Sequence, residues 1–335
     1  FYSNHEDLWY YAKKLREIYP EATSIGCSTY INFSSEGYSD KGLSVMAIYS
    51  GVECSCGLIY EISRHPKNYI QHIREALKSL NSTDNTCCLE FTTSGSQGEE
   101  LVLDTFEEVL RGTNIKVAGS SAGSREGEKI SLVALNGDIY INTCAFVFIH
   151  NLQGKVELYR ENIFRPTSHL FTTTDVDCDE RLVYELDNKP IAEVLSKILN
   201  IDTKQLEEEL DYHPIGRLDG KDIFISVGKN ILEDGSIKFY SRIYNQTKVV
   251  LLEMDSFESV WDETEINIHK KIEKISFSIA VNCFIRTNII QQNNKFEEFI
   301  NKLKKSVGKF IGISGFGEQI MYNHLNQSLV LIMFE

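Results

Sequence analysis

The stretch GISGFGEQIMYNHLNQSLVLI, residues 312–332, decides the fold because it leads from a strand end through a glycine loop to an apolar strand. Three glycines lie within its first six residues and let the backbone turn sharply. Glu318 and a histidine–asparagine–glutamine cluster follow, before an unbroken apolar run. The pattern predicts a buried strand that is entered from a polar loop carrying a carboxylate.

Two earlier stretches, residues 17–48 and 109–135, follow the same pattern as residues 303–333. Each contains a helix end, a short strand, a glycine with small hydroxyl residues, a polar loop and an apolar strand. This similarity predicts a repeated supersecondary unit. Because strands follow each loop without an intervening helix, we expect antiparallel pairing rather than a doubly wound parallel sheet. We also expect backbone N–H groups at the glycine loops to face a cleft.

The rest of the chain alternates amphipathic helices with short β-rich runs, so the fold class is predicted to be α+β. We expect two modules of mixed or antiparallel sheets flanked by helices in layers, with a boundary between 1–205 and 206–335. The sequence predicts a first helix capped by Asn4, a second helix beginning at His65-Pro66, a hairpin turn at Asn136-Gly137, strands over 236–244 and 275–287, and a helix over 294–307 that ends at Gly308.

Composition excludes several classes of partner. The 335 residues carry a formal net charge of −14, which argues against nucleic acid and anionic membranes as partners. No apolar run reaches the roughly 18 to 20 residues of a membrane-spanning helix. The eight cysteines are scattered through apolar runs, which is typical of reduced thiols in a cytoplasmic protein. Cys54-Ser-Cys56 lacks the companion ligands of a metal site, so no metal is expected.

Five motifs, in order along the chain, resemble the FIST sensory family. They are IGCST (25–29), VYELDNKPIAEVL (183–195), HPIGR (213–217), NCFIR (282–286) and GFGEQ…HLNQSLVLI (315–332). The resemblance implies a cytoplasmic sensory input domain for a small ligand, amino acids among the candidates, with residues 1–205 and 206–335 as its N-terminal and C-terminal modules. It also implies an output module of the chemoreceptor, histidine-kinase or diguanylate-cyclase type, in the same chain or in a partner. The family's first strand is expected to precede Phe1.

The sequence departs from the family pattern at two places. Tyr30-Ile31-Asn32 follows GCST, where the family usually has a small residue, glycine and an acidic residue. Residues 162–166, NIFRP, lack the histidine that the family often has there. Some family members bind haem and respond to nitric oxide, so the missing histidine argues against haem as a cofactor. His169 is a weak substitute, and a haem-based gas sensor is kept as an alternative.

Candidate ligand-binding residues lie near strand ends and glycine loops. An amino-acid pocket needs a guanidinium for the carboxylate and an acid for the amine, which favours Arg286 and Glu318. The same two residues could instead pair with each other or with other protein groups. The further candidates are Cys283, Arg242, His324, Asn326, Gln327, Tyr184, Gly315, Gly317, Ser120 and Ser121.

Two non-sensory functions are also considered. Cys283, His324 and Asn326 supply the residue types of a cysteine hydrolase, but burial of Cys283 in a strand is the simpler interpretation. The segment GSSAG at 119–123 is not a nucleophile elbow, because a strand rather than a helix is expected after it. We therefore expect no enzymatic activity. A protein-interaction scaffold without a small ligand is the remaining alternative.

Overall fold

The structure is a computed structural model that describes residues 1–3, 5–95, 97–124 and 131–335. Contacts between Cα atoms divide the chain into two compact units. Unit 1 comprises Phe1–Glu161, Trp261–His324 and Leu329–Glu335, and unit 2 comprises Asn162–Val260 and Leu325–Ser328. The expected cap residue Asn4, Ser96 and residues 125–130 of the second glycine loop lie outside the described residues.

Helices are placed where apolar residues recur with helical spacing. They are α1 (His5–Ile18), α2 (Ile70–Lys78), α3 (Glu99–Leu110), α4 (Ile191–Leu199), α5 (Thr203–Glu209), α6 (Phe257–Lys271), α7 (Phe284–Gln292) and α8 (Phe296–Val307). A 3₁₀ turn, Pro66–Tyr69, leads into α2, with proline at the position where its missing N–H is harmless. Within the described residues, no helix is long and apolar enough to cross a bilayer.

The strands occupy most of the remaining chain. In chain order they are β1 (Tyr2–Ser3), β2 (Ile25–Ser28), β3 (Asn32–Ser34), β4 (Gly37–Ser39), β5 (Leu43–Ser44), β6 (Val52–Tyr60), β7 (Thr86–Thr92), β8 (Lys116–Ser121), β9 (Val133–Leu135), β10 (Asp138–Tyr140), β11 (Thr143–Asn151), β12 (Val156–Asn162), β13 (Phe164–Asp177), β14 (Leu182–Leu186), β15 (Lys189–Pro190), β16 (Ile215–Asp219), β17 (Asp222–Ser226), β18 (Gly228–Ile231), β19 (Ile237–Phe239), β20 (Lys248–Met254), β21 (Phe277–Cys283), β22 (Phe310–Gly315), β23 (Glu318–Ile320), β24 (Asn323–Leu325) and β25 (Ser328–Phe334).

Unit 1 contains three copies of one supersecondary motif. In each copy two parallel strands are joined by a helical crossover: β1-α1-β2, β7-α3-β8 and β21-α7-α8-β22. The next segment is β3–β4, β9–β10 or β23–β24, and a last strand then pairs antiparallel with the first strand of its own copy: β5 with β1, β11 with β7 and β25 with β21. The repeated unit expected from the sequence is therefore present.

The segment that follows the crossover in each copy pairs with a different copy. Strand β3 pairs with β22, β9 pairs with β2, and β23 pairs with β8, all antiparallel. The resulting orders are β10-β9-β2-β1-β5 in the first sheet, β24-β23-β8-β7-β11-β6 in the second and β12-β25-β21-β22-β3-β4 in the third. Because this exchange is cyclic, each sheet needs a strand from another copy to be complete.

Two apolar layers hold unit 1 together. One is formed by the facing sides of the three sheets, with Phe91, Val281 and Ile313 among its fully buried members. The other lies between the second sheet and helices α2 and α3, where Phe106 and Phe146 meet edge to face. Each buried aliphatic or aromatic side chain contributes roughly 1.5–3 kcal/mol to the free energy of unfolding.

Unit 2 is organised around its own sheet, in the order β17-β16-β20-β13-β14-β19-β18, with β15 paired to β14. All of its pairings that the described residues define are antiparallel. Helices α4 and α5 pack on this sheet through Leu195 and Leu206. The predicted α+β class, with mixed and antiparallel sheets flanked by helices, is confirmed.

Two predictions of local structure are wrong. The strand expected over 275–287 ends at Cys283, and α7 begins at Phe284, so Arg286 lies in the first turn of a helix. A short apolar run fits either structure, and periodicity alone does not separate them. The strand expected over 236–244 is limited to Ile237–Phe239. The hairpin turn at Asn136-Gly137 is confirmed, with φ of 51° and 97°.

Candidate functional site

The three glycine loops of unit 1 meet and bond to one another. Tyr30 N–H donates to the Ser314 carbonyl (3.1 Å), and Gly123 N–H donates to the Ser28 carbonyl (2.9 Å). Ser121 N–H donates to the Gly317 carbonyl at 3.0 Å. These N–H groups were expected to face a cleft, and that expectation is wrong. Because each loop ends a strand that pairs with another copy, the loops cross and satisfy each other's backbone groups.

The glycines at this crossing are needed for close approach. A Cβ added at Gly315 would overlap the Ser120 hydroxyl and lie 2.6 Å from the Ser121 carbonyl oxygen. A Cβ at Gly123 would lie 2.8 Å from the Ser314 carbonyl oxygen. Ser120, Ser121, Gly315 and Gly317, which were predicted to bind ligand, therefore form the packed crossing of the loops.

Arg286 is fully buried and is held by three groups of unit 1. Its guanidinium donates to the Glu161 carboxylate and to the Asn282 side-chain oxygen, and lies 4.8 Å from the centre of the Phe299 ring. Thr264 donates to the second oxygen of Glu161 at 2.8 Å. The carboxylate partner of Arg286 is thus Glu161 on β12, a residue that the sequence analysis did not single out.

A chain of hydrogen bonds connects this ion pair to the crossing of the loops. Asn282 donates to Thr287 Oγ1 at 2.7 Å, and Thr287 Oγ1 lies 2.7 Å from Ser314 Oγ. Thr29 Oγ1 in turn donates to the Ser314 carbonyl at 3.1 Å. The network therefore joins β21, α7, β22 and the first glycine loop.

Little space remains beside the ion pair. The void between Glu161, Trp261 and Phe299 has a volume of about 10 Å³, which is far too small for an amino acid. Burial raises the pKa of the Glu161 carboxyl, and the neighbouring Arg286 opposes that rise. The geometry of Arg286 is that of an internal ion pair whose charges are compensated by hydrogen bonds.

The other predicted site residues are spread over both units. In unit 1, Glu318 is buried on β23 opposite Ser120, and His324 is buried with its Nδ1 3.2 Å from Gln319 Nε2. Cys283 is buried at the start of α7.

In unit 2, Arg242 pairs with the exposed Asp179 at 3.4 Å, and Tyr184 lies half-buried on β14. Asn326 accepts from the Val227 N–H at 3.3 Å, and Gln327 donates to the Asp211 carbonyl at 2.8 Å. None of these side chains lines the void beside Arg286 or the larger cavity described next.

A cavity of about 280 Å³ lies elsewhere in unit 1, between the three sheets. We call it the sheet cavity. All three sheets contribute lining residues, among them Tyr2 and Ile25 from the first, Leu89 and Val147 from the second, and Ile279 and Ile311 from the third. The end of α1 and residues 45–49 form the outer wall. In that wall Val45 and Tyr49 are exposed, whereas Met46 packs against the core.

The sheet cavity is apolar with few polar groups. Among the described residues that line it, no side chain carries a formal charge at neutral pH. Cys54 on β6 lines it, and burial raises the pKa of this thiol to about 11. Ser24 also lines it, and the Ser24 hydroxyl is buried with no hydrogen-bond partner among the described residues. A hydrogen bond with Tyr19 raises the pKa of Tyr49 in the outer wall.

Comparison with known families identifies the chain. The FIST N domain matches residues 1–189, and the FIST C domain matches residues 192–321. The chain belongs to the FIST family. FIST domains are sensory domains of signalling proteins, so this chain carries a sensory module. A search of curated proteins found no match to the chain.

The residues that line the sheet cavity do not offer suitable ligands for a haem iron. No histidine lines the cavity within the described residues, and its thiol, Cys54, is held in the protonated form by the raised pKa. His169 lies exposed on β13 in unit 2. Among the described residues, no group of three or more His, Cys, Asp or Glu side chains is arranged to hold a metal ion.

Proposed function

We propose that this FIST chain is a cytoplasmic sensory input domain that binds a small molecule in the sheet cavity and performs no catalysis. The observation that carries the proposal is the cavity itself, a largely apolar space of about 280 Å³ that is bordered by all three sheets. This volume is close to the lower end of the range of ligand pockets, roughly 300–1,000 Å³. Membership of a sensory family supports the same function.

Ligand binding in the sheet cavity can change how the three sheets of unit 1 are arranged. The walls of the cavity belong to strands of all three copies, and the copies are joined by cyclic strand exchange. A ligand that binds one arrangement of the sheets better than another shifts the population toward that arrangement. The output module that receives the signal is proposed to be of the chemoreceptor, histidine-kinase or diguanylate-cyclase type, in the same chain or in a partner.

A thermal-unfolding screen tests the proposal. The compounds are apolar ring compounds, free amino acids, small carboxylates, nucleotides and haem, each with the wild-type chain and with Ile311→Phe, whose larger side chain narrows the cavity. Ligand at about 100 times its dissociation constant adds roughly 2.7 kcal/mol to the free energy of unfolding. We expect at least one compound to raise the melting temperature of the wild type by several degrees and that of Ile311→Phe by clearly less.

The matched control is Ile141→Phe, the same substitution at an exposed isoleucine of unit 1. It should retain the wild-type ligand response. If the response is equal in all three proteins, the ligand binds outside the sheet cavity and the proposed site is wrong. A shift seen with haem alone, together with a Soret band, would support the gas-sensor alternative. No shift with any compound would favour an interaction scaffold.

A further inference from the structure

We infer, resting on the proposed function, that the ligand of the sheet cavity is an uncharged, largely apolar molecule of about one or two rings that places a single hydrogen-bonding group at Ser24. The inner walls include the aliphatic residues Leu89, Val147, Ile279 and Ile311 and the aromatic residues Tyr2 and Phe91. An engineered apolar cavity of about 150 Å³ holds one benzene ring. A cavity of about 280 Å³ therefore has room for a bicyclic compound or a branched aliphatic one of similar size.

The absence of charged lining side chains among the described residues determines the ligand's charge. A carboxylate or ammonium that enters an apolar space loses its hydration and needs an opposite charge or several hydrogen bonds in return. The buried Arg286 does not provide that charge, because its guanidinium is bound to Glu161 and Asn282 and it does not line the cavity. The thiol of Cys54 is neutral at physiological pH because burial raises its pKa to about 11.

Ser24 lines the cavity and carries an unsatisfied hydroxyl, which makes it the candidate group for selecting among uncharged ligands. Asn136 holds its backbone from both sides: Asn136 N–H donates to the Ser24 carbonyl at 2.8 Å, and Ser24 N–H donates to Asn136 Oδ1 at 3.0 Å. The backbone is therefore fixed, while the buried Ser24 hydroxyl has no hydrogen-bond partner among the described residues. Buried polar groups are rarely left without a partner, and a ligand donor or acceptor would supply one.

The test is a binding series on one ring system: indole, naphthalene, indole carboxylate, tryptamine and tryptophan. Affinities are measured by calorimetry and thermal unfolding with the wild type, Ile311→Phe and Ser24→Ala. We expect indole to bind the wild type best, naphthalene next, and the three charged compounds at least about a hundredfold more weakly than indole. Ser24→Ala should weaken indole about three- to tenfold and leave naphthalene unchanged, as loss of one neutral hydrogen bond predicts.

Asn136→Ala provides a second variant that does not alter the cavity wall itself. It removes the side-chain oxygen that accepts from the Ser24 N–H and keeps the backbone bond to the Ser24 carbonyl. Because Ser24 is then held less firmly, the preference for indole over naphthalene should fall while both still bind. Suppose that tryptophan or tryptamine binds as tightly as indole and that this binding is weakened in Ile311→Phe. The inferred ligand class would then be wrong, although the proposed site would stand. If neither indole nor naphthalene binds the wild type, the ligand class is also wrong. The proposed site would be wrong only if every compound that binds in the wider screen binds Ile311→Phe as tightly as the wild type.

Discussion

The guanidinium of Arg286 is bound to the carboxylate of Glu161, and both side chains are buried within unit 1. The arginine comes from the first turn of α7 and the glutamate from β12, so the pair ties the third copy of the motif to the strand beside β25. Removing one member of such a pair leaves an uncompensated buried charge. The pair therefore contributes to the stability of unit 1. A substitution that breaks it would destabilise the fold, so it cannot test ligand binding by itself.

Arg286→Ala should lower the free energy of unfolding by about 3–5 kcal/mol, measured by urea denaturation. The double variant Arg286→Met/Glu161→Leu should recover most of that loss, because apolar side chains replace both charges. Lys14→Ala removes an exposed ion pair with Glu17 in the same unit and should have no measurable effect. If Arg286→Ala is as stable as the wild type but no longer responds to ligand, Arg286 binds the ligand directly instead.

Glu90→Gln should change how stability depends on pH. Glu90 is buried on β7, where Thr92 donates to one carboxyl oxygen at 2.7 Å and the other has no partner among the described residues. Burial raises the pKa of this carboxyl from 4.5 to about 7. Its contribution to stability is therefore fully present below pH 4.5 and is lost as pH rises to about 7.

The loss over that window amounts to roughly 3 kcal/mol for the Glu90 carboxyl. Urea unfolding between pH 4.5 and 8 should show this decline in the wild type and a flatter profile in Glu90→Gln. The variant should be the more stable protein at pH 8. Parallel profiles for the two proteins would show that Glu90 titrates normally.

Gly315→Ala should destabilise the chain by at least about 3 kcal/mol, because the added Cβ meets Ser120 and the backbone of Ser121 at the crossing of the loops. Gly228→Ala is the control, since its Cβ would meet only the side chains of Leu210 and Ile237, at 3.0–3.1 Å. Those side chains can shift, so the cost should stay within about 1 kcal/mol. Equal stability of the two variants, measured by chemical denaturation, would show that the crossing tolerates a side chain.

The alkylation rate of Cys54 by N-ethylmaleimide should keep rising with pH well beyond pH 9. The thiolate is the reactive form. Cys54 is an exposed residue and can react, but the surrounding protein partly desolvates its thiol and raises the pKa from 9.0 to about 11. A ligand in the sheet cavity should slow the reaction, with Cys54→Ser as the control for other cysteines. A rate that levels off near pH 9 would mean that the thiol is fully solvated.

Much of the fold could be predicted from local patterns. Gly26, Gly119 and Gly312 indicated the repeated unit, because each belongs to a short strand and is followed by small residues and a polar loop. The cyclic pairing of β3, β9 and β23 with other copies could not be predicted, since it depends on which distant strand edge each segment reaches. The predicted module boundary at residue 205 stays a prediction.

The candidate site was harder to predict. Polar residues such as Arg286 and Glu318 attract attention in a sequence, yet the structure buries them among protein partners or at strand pairings. The sheet cavity is lined by ordinary core residues from strands that are far apart in the chain, and an aliphatic residue beside a cavity looks like any other core residue. The Ser24 hydroxyl became notable only when its burial and its neighbours were known.

The most direct test of the sensory account is to locate the ligand by NMR of labelled isoleucine and leucine methyl groups. The compound with the largest thermal shift is titrated into the wild-type chain. The account predicts shifts of the methyl signals of Ile25, Ile279 and Ile311 around the sheet cavity, with Leu303 and Leu329 beside the Arg286–Glu161 pair unchanged. Shifts confined to Leu303 and Leu329, with the cavity isoleucines unchanged, would contradict it.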